Sequence, residues 1–143
     1  VVTFDGTPAT VFYSSPTQVN LTVPYTVAGS TTTLQMGAAS VKLPVAASAP
    51  GIFAAASVGS GILTLYTTGG GGLSQDALPR ITLATSVTVN GEAAQVLYAG
   101  IAPGLTPGAN QINIQLPADI PAGAVSIVLT VGTASSKAFV FGQ

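Results

Sequence analysis

Histidine, cysteine and tryptophan are absent from these 143 residues, and charge is confined to three basic and four acidic side chains. Each shortage removes a class of function. Without His or Cys, the commonest general base, the thiolate nucleophile and the imidazole and thiolate metal ligands are gone. No disulfide can staple the fold, and cysteine usage cannot report a redox compartment. Lys42, Arg80 and Lys137 lie far apart and the net charge is −1, so the clustered basic residues of a nucleic-acid binder are missing. Charged residues make up 5% of the chain, where about 25% is typical. A compact monomer of this size exposes on the order of 6,700 Å², so charges would sit about one per 1,000 Å². A surface that neutral favours contact with copies of itself or with another phase. Residues 6–41 and 43–75 carry no charge at all, yet Pro, Gly, Ser, Thr and Gln interrupt both, and neither holds the roughly 20 apolar residues of a spanning helix. Too few aromatics are present for the girdles of an outer-membrane barrel. The chain starts at Val1 with no signal peptide, which fits a processed chain or an excised fragment.

What the chain does have is period two. Val19, Leu21 and Val23 alternate with Asn20 and Thr22, and Ile112, Ile114 and Leu116 alternate with Asn113 and Gln115. One face of each such strand belongs to a core, so these six apolar residues are expected to point inward. "GILTLYTT" (61–68) sets Ile62 and Thr64 on one side, Leu63 and Leu65 on the other, and "SIVLTVG" (126–132) reads as a strand covered on both faces. "SAPGIFAAAS" (48–57) has room for a short turn of helix. Asp5-Gly6 and Asn90-Gly91 are signals for two-residue type I′ hairpins, whose central residues both need positive φ.

Aligned on those turns, the chain repeats itself. "VTFDGTPATVFYSSP" (2–16) matches "VTVNGEAAQVLYAGIAP" (87–103), "QVNLTVP" (18–24) matches "QINIQLP" (111–117), and "ASVKLPV" (39–45) answers "SSKAFVF" (135–141). The second copy carries the longer insert "GLTPGAN" (104–110). These strings, with "SAPGIFAAAS" and "GSGILTLYTTGGG" before the second copy, resemble the acidobacterial secreted-protein C-terminal domain, an immunoglobulin-like sandwich of the IPT/TIG type. The resemblance covers essentially the whole chain. It implies an all-β fold of tandem Ig-like units and an exported, cell-surface location, and it carries no catalytic residues. The expected layout is a first unit at 1–47, a connector at 48–57 and a second unit at 58–143. "GILTLYTTGG" (61–70) opens the second unit and has no counterpart before Val1, so the first sandwich is expected to be one strand short. Either the strand was trimmed away or it arrives from elsewhere in the chain or from another molecule. An inserted strand is the physical remedy for such an open sheet.

Few residues invite chemistry. Asp5 and Glu92 stand at equivalent hairpins, where turn formation and solvation account for them. Asp76 precedes Arg80 by four residues, which suits a loop ion pair better than a Ca²⁺ site, since Ca²⁺ wants several clustered oxygen ligands. "TGGGGL" (68–73) lacks the Lys-Ser/Thr of a phosphate loop. Tyr13 and Tyr98 occupy matched positions, as do Asn20 and Asn113; they form either a sugar-recognition platform or, as we favour, packing residues with hydroxyl or amide tied to the backbone. "NLT" (20–22) matches an N-glycosylation sequon, and "GSTTTL" (29–34) offers hydroxyls for O-linked sugar.

The sequence therefore points to a non-catalytic, secreted or cell-surface structural protein, with no cofactor or metal, whose partners are copies of itself in a filament or array. The terminal segments "KAFVFGQ" (137–143), with Phe139, Val140 and Phe141, and "VVTF" (1–4) are the candidate donor strands. The alternative is an accessory module that binds carbohydrate or another surface ligand.

Overall fold

The computed structural model describes residues 1–142, which form two compact units, Val1–Ala47 and a second from Ser48 onward. Among the described residues strand is the only regular structure, and there is no helix. Unit 1 holds β1 (Val2–Phe4), β2 (Thr7–Pro8), β3 (Thr10–Ser14), β4 (Val19–Thr22), β5 (Thr31–Met36) and β6 (Ala39–Pro44). Unit 2 holds β7 (Gly51–Gly59), β8 (Ile62–Thr68), β9 (Thr85–Val89), β10 (Glu92–Ile101), β11 (Asn110–Gln115), β12 (Val125–Val131), β13 (Ala134–Ser135) and β14 (Phe139–Phe141).

Unit 2 is built around β10, which serves two ladders. Its start, Glu92–Ala94, pairs with β9, and its remainder pairs with β11. On one side β9 is followed by β12, which also carries β13 and β14; on the other, β11 is followed by β8 and β7. Period-two alternation sends Leu63, Leu65, Ile112 and Ile114 from one side, and Val87, Val89, Val125, Ile127, Leu129 and Val131 from the other, into a single buried cluster. This packing of two sheet portions fits a β-sandwich. The strand at 125–131 is covered on both faces to different depths: Val125, Ile127, Leu129 and Val131 are buried, and Ser126, Val128 and Thr130 are half-buried.

The two hairpin signals hold. Asp5 and Gly6 have φ of 49° and 83°, and Asn90 and Gly91 have 50° and 83°, the left-handed pair that a type I′ turn demands. A third turn of this kind, Ser60-Gly61 with φ of 54° and 70°, joins β7 to β8. Its formation explains why 48–57 is not a connector with a helical turn. Once Ser60-Gly61 reverses the chain, residues from Gly51 onward lie against β8 and ladder to it antiparallel, and a full set of backbone pairs outweighs the helix preference of Ala54–Ala56.

Unit 1 repeats part of this plan. β1 pairs with β2 and β5 as β9 pairs with β10 and β12. β3 pairs with β4 as β10 pairs with β11, with the same register irregularity at the same place, Val11/Tyr13 in one and Val96/Tyr98 in the other. Nothing in unit 1 corresponds to β7 or β8.

The consequence is visible in burial. Of the six residues expected inside, Ile112 and Ile114 are fully buried and Leu116 packs half-buried on the cluster. Val19 and Leu21 are only half-buried, and Val23 is 48% exposed, contrary to expectation. Val23 lies beyond the last residue of β4, where unit 1 has no neighbouring strand to cover it. Val2 and Phe4 are the buried apolar residues of unit 1.

Candidate functional site

The repeated Gln-x-Asn places two amides on one face of a strand, and in both units they bond to each other. Gln18 Nε2 donates to Asn20 Oδ1 at 2.7 Å, and Gln111 Nε2 to Asn113 Oδ1 at 3.1 Å. In unit 2 that oxygen also accepts from Thr64 Oγ1 on β8, at 3.1 Å. β8 runs antiparallel to β11 with Ile112 opposite Leu65, Asn113 opposite Thr64 and Ile114 opposite Leu63. β11 is therefore hydrogen-bonded on both sides. β4 is laddered to β3 alone. The matched residues Val19, Asn20 and Leu21 border an open edge, and this edge is the candidate site.

On β3, unit 1 exposes Val11 and Tyr13, whose matches Val96 and Tyr98 are half-buried in unit 2. Tyr98 lies half-buried beneath Arg80, whose guanidinium carbon is 4.5 Å from the ring centre, and its hydroxyl donates to the Ile101 carbonyl at 2.7 Å. Arg80 comes from the segment after β8, which hydrogen-bonds back onto β10 through Ile81 N to Ala99 O and Ile101 N to Pro79 O. Unit 1 has no such segment. Tyr13 is 52% exposed, and Val11, Phe12 and Tyr25 are exposed nearby in sequence.

The proposed donor strands are engaged at home. β14 pairs with β12, with Phe141 opposite Val125, Val140 opposite Ser126 and Phe139 opposite Ile127; Phe141 packs against the cluster while Val140 is exposed. Gln143, the last residue of that segment, lies outside the described residues. β1 supplies the buried Val2 and Phe4 and pairs with β5.

Two of the acidic residues have partners within their own units. Asp5 Oδ2 accepts from Thr32 Oγ1 at 2.6 Å and Oδ1 from Thr33 N at 2.8 Å. The Thr32 hydroxyl above all, then the Thr33 amide and more weakly the Lys42 charge, hold its carboxyl below the ordinary aspartate range, against a small desolvation effect. Asp76 accepts from the Ser74 hydroxyl at 2.6 Å, while Arg80 is turned toward Tyr98. Among the described residues no group of three His, Cys, Asp or Glu is placed to hold a metal ion, and no helix is long and apolar enough to cross a membrane. Comparison with family models, with curated proteins and with solved structures finds no match.

Sequence reasoning did not single out β4 as the strand laddered on one side only. The signal lay in the aligned QVN and QIN strings, since whatever flanks one copy is due beside the other.

Proposed function

We propose that this chain is a non-catalytic structural protein of the cell exterior, made of Ig-like units of the kind its sequence resembles, and that it self-assembles into a filament or array by supplying strands to the open sheet of unit 1. The observation that carries this reading is the edge of β4, laddered on one side where the equivalent β11 is laddered on both. Backbone groups left unpaired at an edge invite another strand. The exposed Phe12, Tyr13, Val23 and Tyr25 and the absence of charge from residues 6–41 both favour such contact over solvation.

Of the two terminal segments, each a three-residue strand, β14 is the cheaper to release, since Val140 is already exposed and neither Phe139 nor Phe141 is fully buried, whereas β1 carries the buried apolar side chains of its own unit. Static light scattering and electron microscopy of the intact chain test the reading. Mass should grow with concentration, and deleting residues 137–143 should abolish growth while unit 2 stays folded. A monodisperse monomer at high concentration refutes it. The alternative, a carbohydrate-binding accessory module, is favoured by Tyr13, an exposed ring opposite Asn20 in the β3–β4 ladder.

A further inference from the structure

Unit 2 has a sheet face that its core does not use. Alternation turns the buried aliphatic residues of β8 and β11 inward and sets the residues between them on the opposite side. There Tyr66 stands opposite Gln111 and Thr64 opposite Asn113, with the small side chains of Ala54 and Ala56 beside them on β7. The pairing of β7 is irregular between Ile52 and Ala54, so Phe53 and Ala54 together oppose Tyr66, and a bulge of this kind re-aims a side chain. Phe53 is 55% exposed. Its ring centre lies 6.5 Å from that of Tyr66, with the two planes inclined by 35°. Two aromatic rings thus border two amides on one face of the sheet.

We propose that this face binds a neutral oligosaccharide, with one sugar ring against Phe53 and Tyr66 and its hydroxyls on Gln111 and Asn113. The electron-rich face of an aromatic ring suits the weakly positive C–H groups of a pyranose, and a hydroxyl, which both donates and accepts, suits a carboxamide. The amides are held in advance. Asn113 Oδ1 accepts from Thr64 Oγ1 and from Gln111 Nε2, each at 3.1 Å, which orients that carboxamide and leaves its Nδ2 hydrogens to donate, while Gln111 keeps Oε1 to accept. Groups ordered before binding lose less freedom on binding. Gln115, the next residue along the same face, is already committed to the Ser60 and Gly61 carbonyls, and Tyr98, opposite Asn113 on β10, has its ring under Arg80. The chemistry favours a sugar over other occupants. An apolar protein surface would cover the rings but bury the amide hydrogens without acceptors. None of Phe53, Tyr66, Thr64, Gln111 and Asn113 carries a charge, so the phosphates of a nucleic acid or the carboxylates of an acidic glycan find no cluster of cations here.

The face belongs to unit 2 alone and depends neither on the edge of β4 nor on self-assembly. Isothermal titration of the full chain with cellohexaose, laminarihexaose and mannohexaose, and with trigalacturonate as the anionic comparison, tests it. At least one neutral hexasaccharide should bind more tightly than trigalacturonate. Phe53→Ala removes an exposed ring and Gln111→Ala a half-buried amide, so both chains should unfold at the temperature of the parent, and each should bind at least about tenfold more weakly, the loss of one stacking or charge-free hydrogen-bonding partner. Tyr13→Ala, which removes the exposed ring of unit 1, should leave the affinity unchanged. Absence of binding to all three neutral sugars, tighter binding of trigalacturonate, an affinity that either Phe53→Ala or Gln111→Ala leaves unchanged, or a loss on Tyr13→Ala overturns the assignment. Light scattering of the same samples reports self-assembly separately, so either proposal can fail while the other stands.

Discussion

The two units share a plan and differ in closure. Both use the same left-handed turn, the same register irregularity before a tyrosine and the same Gln-to-Asn side-chain bond. In unit 2 that plan ends in ten buried apolar residues forming one cluster; in unit 1 it ends in Val2 and Phe4. Local sequence is therefore enough to set turns and registers, but burial needs neighbours. β8 and β7 are those neighbours, and matched side chains behave differently according to whether a strand stands beside them.

The sharpest test substitutes one matched pair. Ile114 is fully buried and Leu21 half-buried at the equivalent position. Ile114→Ala should destabilise unit 2 by about 2–5 kcal/mol, as truncation of a buried aliphatic does, while Leu21→Ala should cost unit 1 under about 1 kcal/mol. Hydrogen exchange resolved by segment during urea titration separates the two. Equal costs would mean that unit 1 is as well packed as unit 2 and that the one-sided ladder of β4 leaves no mark on stability.

A smaller effect comes from a residue that differs between the copies. Gly100 is buried against the segment that carries Arg80: a Cβ there would meet the Pro79 carbonyl oxygen at 2.4 Å and the Tyr98 hydroxyl at 2.7 Å. The matched residue in unit 1 is Ser15, whose hydroxyl accepts from Gln18 N at 3.1 Å within its own turn. Gly100→Ser should lift the Pro79–Ile81 segment from β10 at a cost of about 1–3 kcal/mol, and Tyr98 should become more exposed, as Tyr13 is. Unchanged thermal unfolding together with unchanged tyrosine fluorescence would show that the covering segment is not what distinguishes the two rings.

Much of this was legible in the residues. Asp-Gly and Asn-Gly announced their hairpins because few residue pairs tolerate two positive φ angles, and the alternation around Ile112 and Ile114 announced the core of unit 2. Alternation failed at Val23 because it specifies a face and not the strand that covers it. The alanines of 48–57 misled for a related reason: their local preference is weak, and β8 decides it through long-range pairing. Ser60-Gly61 was the missed signal, a left-handed pair between two apolar runs in "SVGSGIL" (57–63). For the candidate site, alignment matched the QVN and QIN strings, but only the pairing of β8 with β11 shows that β4 is laddered on one side where its match is laddered on both.

Thr64 measures what that neighbour contributes through side chains. Thr64→Val removes the hydroxyl that reaches Asn113 from β8 while keeping the shape of the strand, so unit 2 should lose about 1 kcal/mol. Asn20, whose amide oxygen accepts from the neighbouring Gln18 and from no second strand, should tolerate Ala within about 0.5 kcal/mol. Chemical denaturation of both variants checks the pair, and a larger loss at Asn20 than at Thr64 would show that the bond from β8 is not what distinguishes the two amides.

The smallest difference concerns acid. Asp5 and Asn90 occupy the same turn position and make the same reciprocal bonds: Asp5 N donates to Thr33 O and Thr33 N to the carboxylate, as Asn90 N donates to Ser126 O and Ser126 N to the amide oxygen. One of the two can be protonated and the other cannot. The Asp5 carboxyl is held below its ordinary value chiefly by the Thr32 hydroxyl and next by the Thr33 amide. Its unfolded value is about 3.9, and a depressed folded value means that the ionised form favours the folded turn. That contribution is complete above the unfolded value and disappears as pH falls through the folded one. Asp5 is the sole carboxylate side chain between residues 1 and 47, so acid should loosen the β1–β5 ladder of unit 1 through this group, while the Asn90 turn has nothing to titrate. Between neutral pH and about pH 3, once the intrinsic pH dependence of exchange is corrected, protection of the Thr33 amide should fall and that of Ser126 should hold. Asp5→Asn should make the two amides respond alike. If Thr33 remains as protected in acid as at neutrality, or if Asp5→Asn leaves its acid response in place, the turn of unit 1 does not depend on its charge.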